Sequence, residues 1–379
     1  MRAFHLIVFV LILTSIIFSQ NVSVSDYKVA VSEATTFRAN GFWNWSQVGS
    51  TVLSNTASAN LIFRKFYTSL PFAWFFNVDA SGGKDDSTNQ YDIKIDGNIR
   101  KYIWDKKDWF AFSGFSVEGS RDFDQAASNM TVGAGYGRYI NATALAKAVR
   151  IEEHLMKDNV ITGHLQKGIM INIANIIERE DEYKNLYGAE VYETQWFADI
   201  EKEIQASGLL RGSNIGSIGL LRMRQVLFGI NERVNQRFYG WDVSAGALFT
   251  ITTPNKSPAG SPNLTINGRY SYPFSWRTQL NFEAGVFTPI DSAFVKEVTA
   301  NTGFDFIYEL SNRINLLAGY RFGIFKPQAQ TAMVSNLINL SFLFYIENNI
   351  YFGVNASYEK ASRSQRQMKT SLTLSYNLF

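Results

Sequence analysis

Along most of this chain apolar and polar residues alternate one for one. Between residues 91 and 103, Tyr91, Ile93, Ile95, Ile99 and Ile103 take one parity, while Asp92, Lys94, Asp96, Asn98 and Arg100 take the other. A period of two is the signature of a β-strand with one apolar and one polar face. The same rhythm marks six segments in the first part of the chain, at about 35–48, 55–67, 72–81, 91–103, 108–120 and 127–140. Eight more follow at about 236–252, 261–273, 276–288, 295–310, 313–325, 332–346, 349–360 and 366–379.

Between these sets the period changes. Leu165, Ile169, Ile173 and Ile176 fall on one helical face, as do Trp196, Ile200 and Ile204, and as do Leu145, Val149, Glu152 and Leu155. Residues 141–235 therefore read as three or four amphipathic helices, enough for a small helical domain inserted between the sixth and seventh strands.

The last stretch, KTSLTLSYNLF, places Leu372, Leu374, Tyr376 and Leu378 opposite Ser371, Thr373, Ser375 and Asn377, and it ends on Phe379. An alternating strand ending in Phe resembles the closing strand of a bacterial outer-membrane β-barrel. The usual second aromatic, two places before the terminal Phe, is replaced here by Asn377, with Tyr376 one position away. The resemblance covers roughly residues 35–140 and 236–379 and implies an all-β transmembrane antiparallel β-barrel of about 14 strands with an inserted α-helical periplasmic domain. It also implies a closure signal at Tyr376, Leu378 and Phe379, and as partners the outer-membrane lipid and the barrel-assembly machinery. No more specific family within the porin-like class is matched by these residues.

Composition agrees with that class. The 379 residues are 46% hydrophobic and 15% aromatic, with 30 Phe and 18 Tyr, a density that membrane barrels gather at their two water interfaces. Trp104 and Trp109 flank one turn, and Tyr272 and Trp276 another, as girdle residues would. A soluble sandwich or lipocalin-like barrel also alternates, but rarely crowds Trp and Tyr at strand ends. Residues 1–20 read as a secretory signal peptide, with Arg2 before an apolar run at 6–18 and Ser19 near the cut. That run is short of the roughly 20 residues a spanning helix needs. The domain plan is thus signal 1–20, strands within 21–140, helical insertion 141–235, and strands within 236–379.

Connection lengths set an orientation. With the mature N-terminus in the periplasm, short turns at 105–108, 273–275, 311–312 and 348–349 lie inside. Longer polar connections at 81–89, 253–263, 327–331 and 360–367 lie outside, the usual asymmetry of such barrels. The same parity puts the helical insertion in the periplasm, where a protein or peptidoglycan partner is expected to meet it.

Candidate chemistry is sparse. A net charge of +3 without a basic run excludes nucleic acid as a partner, and the absence of Cys removes thiolate metal sites and nucleophiles. His154 and His164 both lie in the insertion, so the barrel carries no histidine base of the kind outer-membrane phospholipases and omptin-type proteases use. Glu152, Glu153 and His154 are adjacent on a helix and do not converge on one metal, so they read as a solvated face. No catalytic, cofactor or metal residue is assigned, and no enzyme is expected.

The expected lumen lining comprises Arg38, Arg64, Asp92, Lys94, Asp96, Arg100, Arg269, Arg277, Glu283, Asp305, Arg321 and Glu359. With Asp79, Glu118 and Asp242 on the same parity, seven basic residues face eight acidic ones, so no ion preference follows. Gly133, Gly135 and Gly137 share the lumen parity with Gly240, Ser244 and Gly246. This bare stripe reads as wall curvature, or as room for a helix turn or an inward aromatic such as Phe325 or Tyr345. The function implied is a porin-like channel for small solutes. The alternative is a non-transporting anchor whose insertion binds a periplasmic partner.

Overall fold

The computed structural model of the chain describes residues 21–85, 88–104, 107–346, 350–362 and 364–376. The expected signal at 1–20, and Leu378 and Phe379 of the closure signal, lie outside the described residues, as does the side chain of Tyr376.

Fourteen antiparallel strands form one sheet in simple chain order, each paired with its sequence neighbours. Six precede the helices: β1 (Ser32–Val48), β2 (Thr51–Thr68), β3 (Phe72–Asp85), β4 (Thr88–Tyr102), β5 (Trp109–Ser120) and β6 (Ala127–Asn141). Eight follow: β7 (Phe238–Thr252), β8 (Asn263–Pro273), β9 (Thr278–Pro289), β10 (Val298–Ser311), β11 (Ile314–Lys326), β12 (Met333–Ile346), β13 (Ile350–Ala361) and β14 (Gln367–Tyr376). Among the described residues no ladder joins β14 to β1. Side chains on those two edge strands stand open, with Trp43 at 72% and Leu374 at 71% exposure.

The sheet is strongly curled. Arg100 of β4 donates from Nη1 to Asp242 Oδ2 of β7 at 2.9 Å, across the two intervening strands, so their shared face is concave. The opposite parity forms a convex apolar face, where Ile93, Ile99, Val243, Ile266, Phe282, Phe304, Ile338 and Leu372 are all exposed. An apolar band that wide needs a cover other than water.

Five helices occupy the interval between β6 and β7: α1 (Thr143–Lys157), α2 (Lys167–Glu178), α3 (Glu180–Tyr187), α4 (Tyr192–Ala206) and α5 (Gly216–Phe228). Asn141 Oδ1 accepts from Thr143 N at 3.0 Å and satisfies a free amide at the start of α1. Gly229, at φ 66°, ends α5 in the left-handed conformation glycine allows. The helical core gathers Leu145, Val149 and Leu155, then Met170 and Ile173, then Trp196, Ile200 and Ile204, then Met223 and Val226. Each such side chain, fully buried, contributes roughly 1.5–3 kcal/mol.

This domain is not self-contained. Residues 21–31 run along it, adding Val22, Val24 and Tyr27 to its core. Lys167 Nζ meets Asp26 Oδ1 at 2.6 Å, and Asn21 donates to the Leu165 carbonyl at 3.3 Å. Trp276, expected in an aromatic girdle, instead packs against this core and donates to the Val22 carbonyl at 3.1 Å. Apolar area shared with the helices outweighs the interfacial placement its position suggested. The helices sit at the end of the sheet that carries the β2–β3, β8–β9 and β10–β11 turns. Short connections also occur at the other end, where β1 and β2 are two residues apart. The connection expected there at 81–89 is mostly strand, β3 running to Asp85 and β4 starting at Thr88. Leu70 of the β2–β3 turn and Trp276 of the β8–β9 turn both pack against them, and α3 lies along the start of β1. We call this end the rim.

Candidate functional site: the rim and the concave face

Period two decides what the rim presents. Tyr308 and Leu310 belong to the convex parity, so Glu309 points inward beneath the helical domain. A register shift between Glu309 and Ser311 ends regular pairing there. Glu309 is 1% exposed and its carboxylate is fully used. Oε2 accepts from Arg150 Nη2 at 2.6 Å, and Oε1 accepts from Arg237 Nη2 at 2.6 Å and Asn235 Nδ2 at 2.8 Å. Arg237, at 0% exposure just before β7, also donates from Nε to the Trp276 carbonyl at 3.0 Å.

Arg150 hydrogen-bonds two carboxylates and lies 3.5 Å from a third, that of Glu153. Its Nη1 donates to Glu232 Oε2 at 3.2 Å, and the other oxygen of Glu232 faces His154 Nε2 at 2.8 Å. Burial alone would raise the Glu232 pKa, but His154 and Arg150 outweigh it and hold it below its ordinary value. Burial does raise Glu152, even though Glu152 accepts from Leu165 N at 2.5 Å and faces His164 Nδ1 at 3.3 Å. Glu152 and His154 are thus buried, which corrects their reading as a solvated helix face. They hold α1 to the loops beside it, a role that adjacency in sequence does not reveal.

Further from the rim the concave face is packed on one side. Asp242 accepts from Arg100 and from Arg269, whose Nε is 3.0 Å from Oδ1. Arg100 lies 4.2 Å over the Phe110 ring and Arg269 lies 4.4 Å over Tyr139. The small-residue stripe explains how Phe110 fits. A Cβ added at Gly135 would strike Phe110, and one at Gly133 would stand 2.5 Å from Phe112 Cζ. The inward aromatics are therefore Phe110 and Phe112 of β5, not Phe325, Tyr345 or a helix turn. β5 begins Trp-Phe-Ala-Phe, aromatic on both parities, so alternation could not single them out. Gly137 (φ 111°) and Gly240 (φ 90°) serve differently, as positive-φ positions within the paired ends of β6 and β7 next to the helical domain.

Six of the remaining expected lining residues pair with neighbours on the wall. Arg64 Nη2 donates to Asp79 Oδ1 at 2.7 Å, Lys94 Nζ meets Glu118 Oε1 at 3.1 Å, and Arg321 Nη2 donates to Asp305 Oδ2 at 2.8 Å. Glu283 lies 3.8 Å from Arg321 Nε, and Asp96 accepts from Asn77 at 2.9 Å. Glu359 lines a concave-face cavity of ≈ 660 Å³, and Asp92 lines another of ≈ 550 Å³ between β2 and the end of β5. Arg38 is exposed on edge strand β1. Arg277 lies in the β8–β9 turn, 3.8 Å from Glu153, and so belongs to the rim. A third cavity of ≈ 520 Å³ shares Asn267, Arg269, Gly285 and Asn301 with the ≈ 660 Å³ one.

No family model matches the chain, and no curated protein matches it. Among solved structures, one similar chain is a loop L8 deletion mutant of OmpT, an outer membrane protein of Vibrio cholerae. It is 7% identical, with 90% of this chain and 99% of that chain covered, at a TM-score of 0.28. A likeness that slight carries nothing about register, lumen or activity. The fourteen-strand antiparallel meander itself is the architecture the sequence shares with outer-membrane barrels.

Proposed function

We propose that this chain is an outer-membrane channel through which small polar solutes pass passively, its helical domain standing in the periplasm over part of the lumen exit. The observation that carries this reading is the pair of adjoining cavities on the polar concave face, which leave space where a small closed barrel is filled by side chains. The exposed apolar convex face supports a lipid surround. Closure is assigned to β1 and β14, because unpaired strand edges are not tolerated in lipid. Chains lacking Phe379, or carrying Tyr376→Asp and Leu378→Asp, then accumulate unfolded. Normal amounts of heat-modifiable barrel from them reject this closure.

The channel is tested by solute efflux from vesicles holding the purified protein. Escape of small neutral sugars, with retention of large ones, is expected; escape no faster than from empty vesicles rejects the channel. The orientation is tested by protease, which spares 141–235 in intact cells and cuts it once the outer membrane is permeabilised. A second reading is favoured by the buried network around Glu309: a non-transporting anchor whose helical domain binds a periplasmic protein or peptidoglycan.

A further inference from the structure

Between the helical domain and the rim turns lies a cavity of ≈ 810 Å³ that none of the foregoing uses. Its charged lining is lopsided: Lys157, Arg222, Arg277 and Arg313, with two histidines, against the single carboxylate of Glu153. Arg222 is committed to Asp158, 2.6 Å away, and Arg277 lies 3.8 Å from Glu153. Among the described residues Lys157 and Arg313 enter no ion pair, although they come from separate elements and converge on one cavity. Lys157 alone would be an ordinary cation at the end of a helix, favoured there by the dipole. Arg313, in the β10–β11 turn, has no such reason to be there.

A second feature sharpens the ligand. Asn312 lines the same cavity, and its Oδ1 is buried with no hydrogen-bond partner. A buried acceptor without a donor is costly, so a ligand offering a hydroxyl there gains what the free protein lacks. We propose that this cavity binds a small polyhydroxylated anion. Its phosphate or carboxylate lies between Lys157 and Arg313, and the Asn312 amide, closed off in the free protein, turns toward the cavity so that its Oδ1 accepts from a hydroxyl. The volume exceeds what a lone phosphate fills. The same chemistry is offered by a free sugar phosphate and by the phosphoglycerol headgroup of a lipid at the rim. The assignment does not depend on whether the lumen conducts.

The test is calorimetric titration of the full-length protein in detergent with glucose 6-phosphate, inorganic phosphate, glucose and dihexanoyl-phosphatidylglycerol. Saturable binding of about one glucose 6-phosphate per chain is expected, tighter than phosphate alone, with glucose silent. Lys157→Gln with Arg313→Gln, which removes two solvent-facing side chains without partners, weakens it about tenfold or more, as loss of charge-assisted bonds does. Asn312→Ala removes the preference over inorganic phosphate. If phosphatidylglycerol alone binds, with the same dependence on Lys157 and Arg313, the occupant is the lipid headgroup. Binding of glucose equal to that of its phosphate, no saturable binding by any anion, or affinity unchanged in the heat-modifiable double variant overturns the site.

Discussion

The rim and the middle of the concave face use the same residue types to opposite effect. At the rim, Glu309, Arg237 and Arg150 are buried together and every carboxylate oxygen has a donor. In mid-wall, Arg321 and Asp305 make a pair nearly as short, 2.8 Å against 2.6 Å, yet both side chains remain over a third exposed. Burial removes water as a substitute partner, so the rim charges depend on each other, whereas the mid-wall pair can fall back on solvent. Ion-pair distance alone thus says little about what a pair holds together. The rim network fixes the helical domain to the wall, and the mid-wall pairs mainly neutralise a wet surface.

Substitutions sharpen this contrast in order of size. Glu309→Ala leaves Arg237 buried without a counter-charge and Arg150 with only Glu232 and Glu153, and costs about 3–5 kcal/mol, enough to empty the folded band on gels. Urea unfolding followed by tryptophan fluorescence measures it. A loss no larger than that of a mid-wall variant would erase the distinction between the two regions.

Next comes the packed flank of the wall. Gly135→Trp drives a ring into Phe110 and costs roughly 1–3 kcal/mol or more by overpacking, while Ser341→Trp and Ser357→Trp, on strands without the stripe, cost less in the same unfolding experiment. Equal effects at all three sites would reduce the stripe to curvature alone.

Arg321→Ala removes a half-exposed pair and costs at most about 1 kcal/mol, shrinking further in high salt. A salt-insensitive loss as large as that of Glu309→Ala would mean the mid-wall is drier than its exposure indicates.

The smallest effect is a pH dependence confined to the rim. Glu232 has a folded-state pKa below its ordinary 4.5, so its stabilising contribution is present above that value and lost as pH falls through the lower, folded one. Glu152 is shifted upward and works in the opposite direction, which keeps the net slope small. The protection of α1 amides against hydrogen exchange, taken relative to their intrinsic rates, is expected to fall below pH about 4.5 in the native protein, and less so in Glu232→Gln. An identical slope in both would remove Glu232 from the network.

What the sequence made legible follows the same physics. Strands with one apolar and one polar face, such as Tyr91 to Ile103, announce themselves because half-burial writes a period of two. The helices do the same through Ile169, Ile173 and Ile176, although Leu165, expected on the same face, lies just before α2. Glu309 was silent, because its partner Arg150 is 159 positions away and nothing local marks either residue. Its place between Tyr308 and Leu310, inward at a strand end, was the one available signal. Phe110 and Phe112 were hidden by a strand aromatic on both faces. The packing of residues 21–31 against the helices was hidden because short irregular stretches carry no period at all.

Conductance of the full-length protein in planar bilayers tests the proposed channel most directly. Steady openings of uniform size are expected from the native protein, with little preference between cations and anions, since the described mid-wall charges are largely paired. Silence from protein that is demonstrably folded and inserted would contradict the channel and leave the anchor.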